Sequence, residues 1–263
     1  MSFPTTVLPD RAVIQVAGPD AATFLQGLIT NDIAKVENGR AIYAALLTPQ
    51  GKIITDFLVA PIDGGFLLDC AKAQAADLAA RLKKYKLRAK VTIAERADLA
   101  VIASPQSVAG GFADPRLPAL GFRAYQRTAG DNATAYHAHR IALGVPDSSD
   151  IAPETHFPLD CNFEELHGVD FEKGCYVGQE LTARMKHRAS ARRRILPVSA
   201  ASLPPPGTSL TLGTTDIGEM MGGLDSHGLA IIRLDRLVDA TEATAAGATV
   251  HIGRPSYPLI LGA

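Results

Sequence analysis

Residues 173–180 read Lys-Gly-Cys-Tyr-Val-Gly-Gln-Glu, or KGCYVGQE. Two glycines bracket the thiol of Cys175, and glycine permits close backbone approach or a positive φ. Gly178 opens a helix predicted over 178–186. A thiol beside a helix start and near the cation of Lys173 is held more thiolate-like and more nucleophilic. A small buried apolar residue is the other reading of a free cysteine. The residues alone leave both open. Cys70 and Cys161 are the remaining cysteines. An odd number at wide spacing does not suit a disulfide framework and fits a reducing cytoplasm.

Downstream of the motif the chain turns basic. Arg184–Arg194 holds six basic residues and no acid, and so does Arg81–Lys90. These stretches contain twelve of the 26 basic residues, and the other 14 face 27 acids. The near-neutral total therefore hides a charge asymmetry. It argues against a generally basic nucleic-acid binder. Two readings stand: solvated surfaces, or a shared anion site for phosphate, polyglutamate or RNA.

Upstream, 42–47 (IYAALL) and 53–60 (IITDFLVA) read as strands, with Thr48-Pro49-Gln50-Gly51 as the turn. Asp56 lies in the second strand. Strict alternation puts it on the face of Ile54 and Leu58. There an acid would have a raised pKa and bind a polar heterocycle; an outward or edge position is the alternative. RAVIQV at 11–16 reads as a strand, Asp20 as the N-cap of a helix through Phe24, Leu25 and Leu28, and 66–69, 90–94 and 99–103 as further strands. The clearest helix is 71–87, where Ala71, Ala75, Leu78, Leu82 and Tyr85 form one apolar stripe. A second helix is predicted over 133–143, and prolines 146, 153 and 158 mark an irregular connection. From about Ile195, short β runs at 195–199, 208–212, 229–234 and 248–252 predict a separate small β-barrel or sandwich.

The 263 residues carry 47% hydrophobic and 20% charged side chains. A chain of this size buries roughly 73% of its unfolded surface, enough for a core without metal or disulfide staples. No apolar run approaches ~18 residues, so no membrane span and no membrane partner are expected. The stretch MSFPTTVLPD lacks the pattern of a secretory signal and is too short and Arg-poor for a transit peptide. A cytoplasmic location is expected, or an organelle matrix in a eukaryote. No closed zinc-site spacing appears, and His137 and His139 are two apart, a spacing that shares a face on a strand but not on a helix. GxSxG, P-loop and GxGxxG signatures are absent.

KGCYVGQE resembles the signature of the YgfZ-type folate-binding proteins, the iron–sulfur-assembly relatives of the glycine-cleavage T-protein, an aminomethyltransferase. FLQGLITND (24–32) is similar to that family's first helix, TPQGKIITDF (48–57) to its hairpin, LKKYKLRAKVTI (82–93) to its central basic segment, and 222–235 to its barrel strand. The resemblance covers nearly the whole chain. It implies an α+β fold: a three-lobed ring with discontinuous N-terminal lobes over 1–190, a C-terminal β-barrel over 191–263, and folate in a central channel. It implies an accessory factor, not a conventional turnover enzyme, that maintains iron–sulfur clients with tetrahydrofolate as ligand. Cys175 would be the functional thiol, with the role of a transient iron–sulfur ligand open to it and no permanently bound metal. The implied folate set is Asp56, Tyr136, Arg140, Lys173, Gly174, Tyr176, Gly178, Gln179, Glu180 and Arg184. Tyr176 and Tyr136 would wall the pterin, and Arg184, with Lys186 and Arg188, would meet the carboxylate tail.

Two departures separate the chain from the T-protein branch. The T-protein has no cysteine at the position of Cys175. Ala142 stands where that branch carries an acid that contacts the pterin. The alternatives are a tetrahydrofolate-dependent aminomethyl transferase, and an RNA- or protein-binding module using 81–90 and 184–194. Expected partners are iron–sulfur client or assembly proteins, and a monomer is expected.

Overall fold

The computed structural model describes residues 3–37, 39–130, 132–188, 192–237 and 239–260. The apolar alternation of the N-terminal half builds a five-stranded antiparallel sheet. It contains β2 (Arg11–Ala17), β3 (Ile42–Leu47), β4 (Ile53–Ile62), β5 (Gly65–Ala71) and β6 (Thr92–Glu95), in the order β3-β4-β5-β2-β6. The β3–β4 turn closes where predicted: the Gly51 amide donates to Thr48 O at 2.8 Å, and Gly51 has φ +78°. The strict alternation expected for β4 fails at its start. Leu46 faces Thr55 but Leu47 faces Ile53, so Ile54 is an extra bulged residue. Ile54 therefore packs with Phe57 and Val59, whereas Leu58 and Ala60 belong to the opposite core. Asp56 shares the face of Leu58, not that of Ile54.

Helix α1 (Ala21–Gln26) follows Asp20, which makes no side-chain cap. Instead its carboxylate accepts the Lys90 amide at 2.7 Å and ties two loops together. Helix α2 (Lys72–Tyr85) buries Ala75, Leu78 and Leu82 against the sheet. The expected stripe stops there, because Tyr85 is exposed and Ala71 precedes the helix.

A second sheet has the order β1-β7-β9-β8, from β1 (Thr6–Leu8), β7 (Ala100–Ser104), β8 (Phe112–Ala113) and β9 (Phe122–Gln126). Helix α3 (Thr134–Ala142) follows it. The first strand of the chain thus belongs to the second sheet, so the lobes are discontinuous in sequence. The third lobe is a closed barrel, β10-β13-β12-β11-β14-β15. Its strands are β10 (Arg193–Ser199), β11 (Ser209–Leu212), β12 (Thr215–Leu224), β13 (His227–Arg233), β14 (Glu242–Ala245) and β15 (Ala248–Ile252), with the short α5 (Leu234–Leu237) after β13. One apolar core joins the lobes: Leu58 of the first sheet, Val101 of the second and Ile231 of the barrel belong to the same buried cluster.

Candidate functional site

The KGCYVGQE loop is held from both ends. Helix α1 leaves backbone carbonyls without helical partners, as every helix end does. The Lys173 ammonium donates to three carbonyls there: Gln26 at 2.8 Å, Ile29 at 2.6 Å and Asn31 at 3.0 Å. It also lies 4.9 Å from the centre of the Tyr176 ring. Burial pulls its pKa down to about 8, against the attraction of Asp32 and Asp170. Lys173 thus clamps the end of α1 and the segment that follows it. Asp170 begins the loop by accepting the amides of Glu172 at 2.7 Å and Lys173 at 3.2 Å. Burial works against its charge, but Lys35, 2.7 Å away, and these amides hold its carboxyl below the usual range.

At the other end Gly178 has φ +83°. A Cβ there would lie 2.4 Å from Thr48 O and 2.9 Å from Leu47 Cβ, so glycine lets the loop close against the β3–β4 turn. Gly174 has open space around it and no positive φ. The paired-glycine expectation therefore holds for Gly178 alone. Between these anchors Cys175 is exposed, while Cys70 and Cys161 are buried. Burial pushes the Cys70 thiol up to about 12, and Cys161 well above its ordinary value.

Tyr176 is buried, and its amide donates to Gln179 Oε1 at 3.3 Å. Helix α4 (Gln179–His187) carries Glu180 and Arg184 as an exposed ion pair at 2.8 Å. Lys186 pairs with Glu164, and Arg188 is exposed.

The other predicted ligands lie elsewhere, in a buried polar network between the two sheets. Asp56 accepts the Tyr43 hydroxyl at 2.9 Å and the Ser148 hydroxyl. Burial and neighbouring Asp147 raise its pKa, while Arg11 and these hydrogen bonds oppose the rise. Tyr136 is not an open wall. It is buried, with its hydroxyl accepting from Arg116 at 3.0 Å and from Arg123, whose guanidinium lies 4.7 Å from its ring. Arg140 is also buried, bonded to Asp150 at 2.6 Å and facing Asp147 at 3.4 Å. Asp114 binds Arg116 at 2.7 Å and faces Arg123 at 3.4 Å. Ala142 is exposed at the end of α3. The structure thus separates Asp56, Tyr136 and Arg140 from the Lys173–Arg184 group.

Sequence reasoning missed a cleft of about 460 Å³ beside the loop. Lys35, Arg40, Tyr43, Asp114, Glu164 and His167 help line it. Asn31 connects it to the motif: its side chain donates to Tyr43 O at 2.8 Å and His167 O at 2.7 Å, and its carbonyl receives Lys173. Tyr43 connects it to the buried network through Asp56. Lys35, Arg40 and Tyr43 carry no spacing that marks them as a site in the sequence. Among the described residues, no group of three or more His, Cys, Asp or Glu side chains is arranged to hold a metal ion.

Comparison with known proteins defines the class. The family described as GCVT N-terminal domain matches residues 11–109, and the CAF17 C-terminal beta-barrel domain matches residues 192–258. The crystal structure of glycine cleavage system aminomethyltransferase T from Bartonella henselae superposes with a TM-score of 0.76. That likeness covers 96% of this chain and 85% of that one at 16% identity, so it establishes the fold. The chain is a GCVT-type α/β protein, rich in strands, with a six-stranded C-terminal barrel.

Within that class it belongs to the IBA57 family of iron–sulfur cluster assembly factors. Human mitochondrial IBA57 is 32% identical over 275 residues, spanning 88% of this chain and 77% of the human protein. The Neurospora crassa mitochondrial IBA57 homolog is 39% identical over 230 residues, spanning 73% of this chain. This chain covers about half of that relative, 52%.

Proposed function

We propose that this chain assembles or repairs iron–sulfur clusters in client proteins, and that Cys175 is the thiol that meets the cluster as a transient ligand. The observation that carries the reading is the contrast among three cysteines: two are buried with raised pKa values, and the third is exposed on a loop clamped at Lys173 and Gly178. Thiolate is the ligating form, so burial and raised pKa values disfavour Cys70 and Cys161, and access favours Cys175. The names of the relatives support the assembly role, and KGCYVGQE supports the finer YgfZ-type reading. The mitochondrial relatives support an organelle matrix; the cytoplasm is the alternative. The test is the activity of cluster-containing enzymes in a deletion strain. Restoration by the parent chain and failure of Cys175→Ala is the expected result. Full restoration by Cys175→Ala refutes the role of the thiol.

The cleft favours a second element, a bound reduced folate. Lys35 and Arg40, both exposed at the edge of the cleft, offer charge to the carboxylates of such a ligand, while buried Tyr43 forms part of the cleft base. The cations there are open to solvent, whereas Arg140 is buried. Folate would supply a one-carbon carrier; the protein's part is to bind and orient it. Calorimetric titration of tetrahydrofolate should give micromolar binding, about −8 kcal/mol. Arg40→Ala should weaken it, whereas Arg184→Ala, already paired with Glu180, should bind like the parent. No heat at millimolar folate refutes the folate reading and leaves the thiol reading standing.

A further inference from the structure

We propose that the turn following α2, residues 83–90, is a contact site for an anionic phospholipid surface. The two basic stretches look alike in sequence but differ in the structure. In the second, four of six cations have acidic partners: Arg184 with Glu180, Lys186 with Glu164, Arg192 with Asp235 and Arg194 with Glu165. In the first, Arg81 pairs with Asp77 and Glu154. Among the described residues, Lys83, Lys84, Lys86, Arg88 and Lys90 have no ion-pair partner, and all but Lys86 are exposed.

At the centre of these five cations stands Leu87. It is 89% exposed, the most exposed large apolar side chain among the described residues, and Tyr85, at 37%, is another of that group. Leu87 also has φ +44°. A left-handed residue costs a side chain with a Cβ about 1–2 kcal/mol, so a turn selected for solubility and stability favours glycine or asparagine there. The turn is held firmly. The Lys86 amide donates to Leu82 O, the Ala89 amide to Lys86 O, and the Lys90 amide to the carboxylate of Asp20. Leucine is therefore presented to solvent by a fixed backbone.

A helix C-terminus attracts cations, and that explains Lys83 and Lys84 in the last turn of α2. It does not explain Arg88 and Lys90 beyond the helix, or the apolar tip. Phosphates of a nucleic acid would use the cations and leave Leu87 in water. A lipid interface uses both: acyl chains take the leucine, the headgroup layer suits the tyrosine, and anionic headgroups take the cations. Such contact needs no spanning segment, so it is compatible with the absence, among the described residues, of a helix long and apolar enough to cross a membrane.

The test uses the full chain with sedimentable vesicles of phosphatidylcholine alone, or of phosphatidylcholine mixed with phosphatidylglycerol. The expected result is cosedimentation with the mixed vesicles only, lost in high salt. Leu87→Gly should weaken it roughly tenfold or more while keeping the melting temperature, because it removes apolar contact and relieves the left-handed leucine. Arg184→Ala should bind vesicles like the parent. The chain has no tryptophan, so Leu87→Trp gives a single tryptophan, excited selectively above the tyrosine band, whose emission should shift to the blue on mixed vesicles. No sedimentation at low salt overturns the proposal. So does sedimentation in which Leu87→Gly matches the parent and the Leu87→Trp emission stays still. Tighter binding to polyuridylate than to vesicles, indifferent to Leu87, would assign the turn to nucleic acid instead.

Discussion

The two glycines around Cys175 make opposite demands on an added methyl group. In Gly178→Ala the new Cβ meets Thr48 O at 2.4 Å, Leu47 Cβ at 2.9 Å and Gly51 Cα at 3.1 Å. The nearest of these is backbone, which cannot swing away like the end of a side chain. The residue must also keep φ +83°. The left-handed conformation costs about 1–2 kcal/mol and the overpacking about 1–3, so Gly178→Ala should destabilise the protein by about 2–5 kcal/mol. Gly174→Ala meets nothing within 4 Å. It should lie within about 0.5–1 kcal/mol of the parent, on the stabilising side if the unfolded chain loses freedom. Urea unfolding followed by circular dichroism measures both. Alkylation of Cys175 reports the loop itself: its rate should change in Gly178→Ala and stay near the parent's in Gly174→Ala. Equal stability of the two variants, or the larger loss in Gly174→Ala, would refute the docking of the motif against the β3–β4 turn.

Other outcomes follow from the same geometry. Iodoacetamide at neutral pH should label Cys175 first, with Cys70 and Cys161 labelled only after denaturant is added, as peptide mass spectrometry will show. Asp114→Asn leaves buried Arg116 without its charge partner and Arg123 with Asp69 alone, and should cost about 3–5 kcal/mol in urea unfolding at pH 7. Burial opposes the charge of Asp114, but Arg116 and Arg123 hold its carboxyl below the usual range. Its contribution is thus complete above the unfolded carboxylate pKa of about 4 and is lost as pH falls through the lower folded value. The gap between parent and variant should therefore narrow in acid. Lys173→Met removes one ammonium from three carbonyls and should cost at least about 1.5–3 kcal/mol, with faster amide exchange in 27–35. Arg184→Ala breaks an exposed helix pair and should cost no more than about 0.5 kcal/mol.

Much of the first lobe was legible because its periodicities are local. The β3–β4 hairpin carries its own turn residues, and α2 carries its own stripe. Strand β12 was missed: TDIGEMMGGL holds three glycines and few β-branched residues, and forms because barrel closure supplies β11 and β13 on either side. Strand β1 was missed because three residues show no period; its partner lies far along the chain. Asp56 was given the wrong neighbour by one bulged residue, which reverses the alternation behind it. At the site, the residue types left the exposure of Cys175 open and treated Gly174 and Gly178 alike; the structure decides both. The clamp of Lys173 could not be read, since carbonyl acceptors leave no mark in a sequence. Tyr136 and Arg140 were expected around a ligand because aromatic and cationic groups bind ligands. The same groups satisfy one another in an interior crowded with arginine and aspartate, and only their burial decides between the two.

The pairing of β1 with β7 sets an order on synthesis. Thr6 is opposite Ala103, so the first strand leaves the ribosome 97 residues before its partner residue. At ordinary elongation rates of about 5–20 residues per second, that separation of 97 residues is an interval of about 5–20 s. During that time the sheet of β2 to β6 is translated to completion, while Thr6–Leu8 hangs beside it with unused amides and carbonyls. Until β7 follows, Thr6–Leu8 stays unpaired, and such an open strand edge is a segment a chaperone would cover.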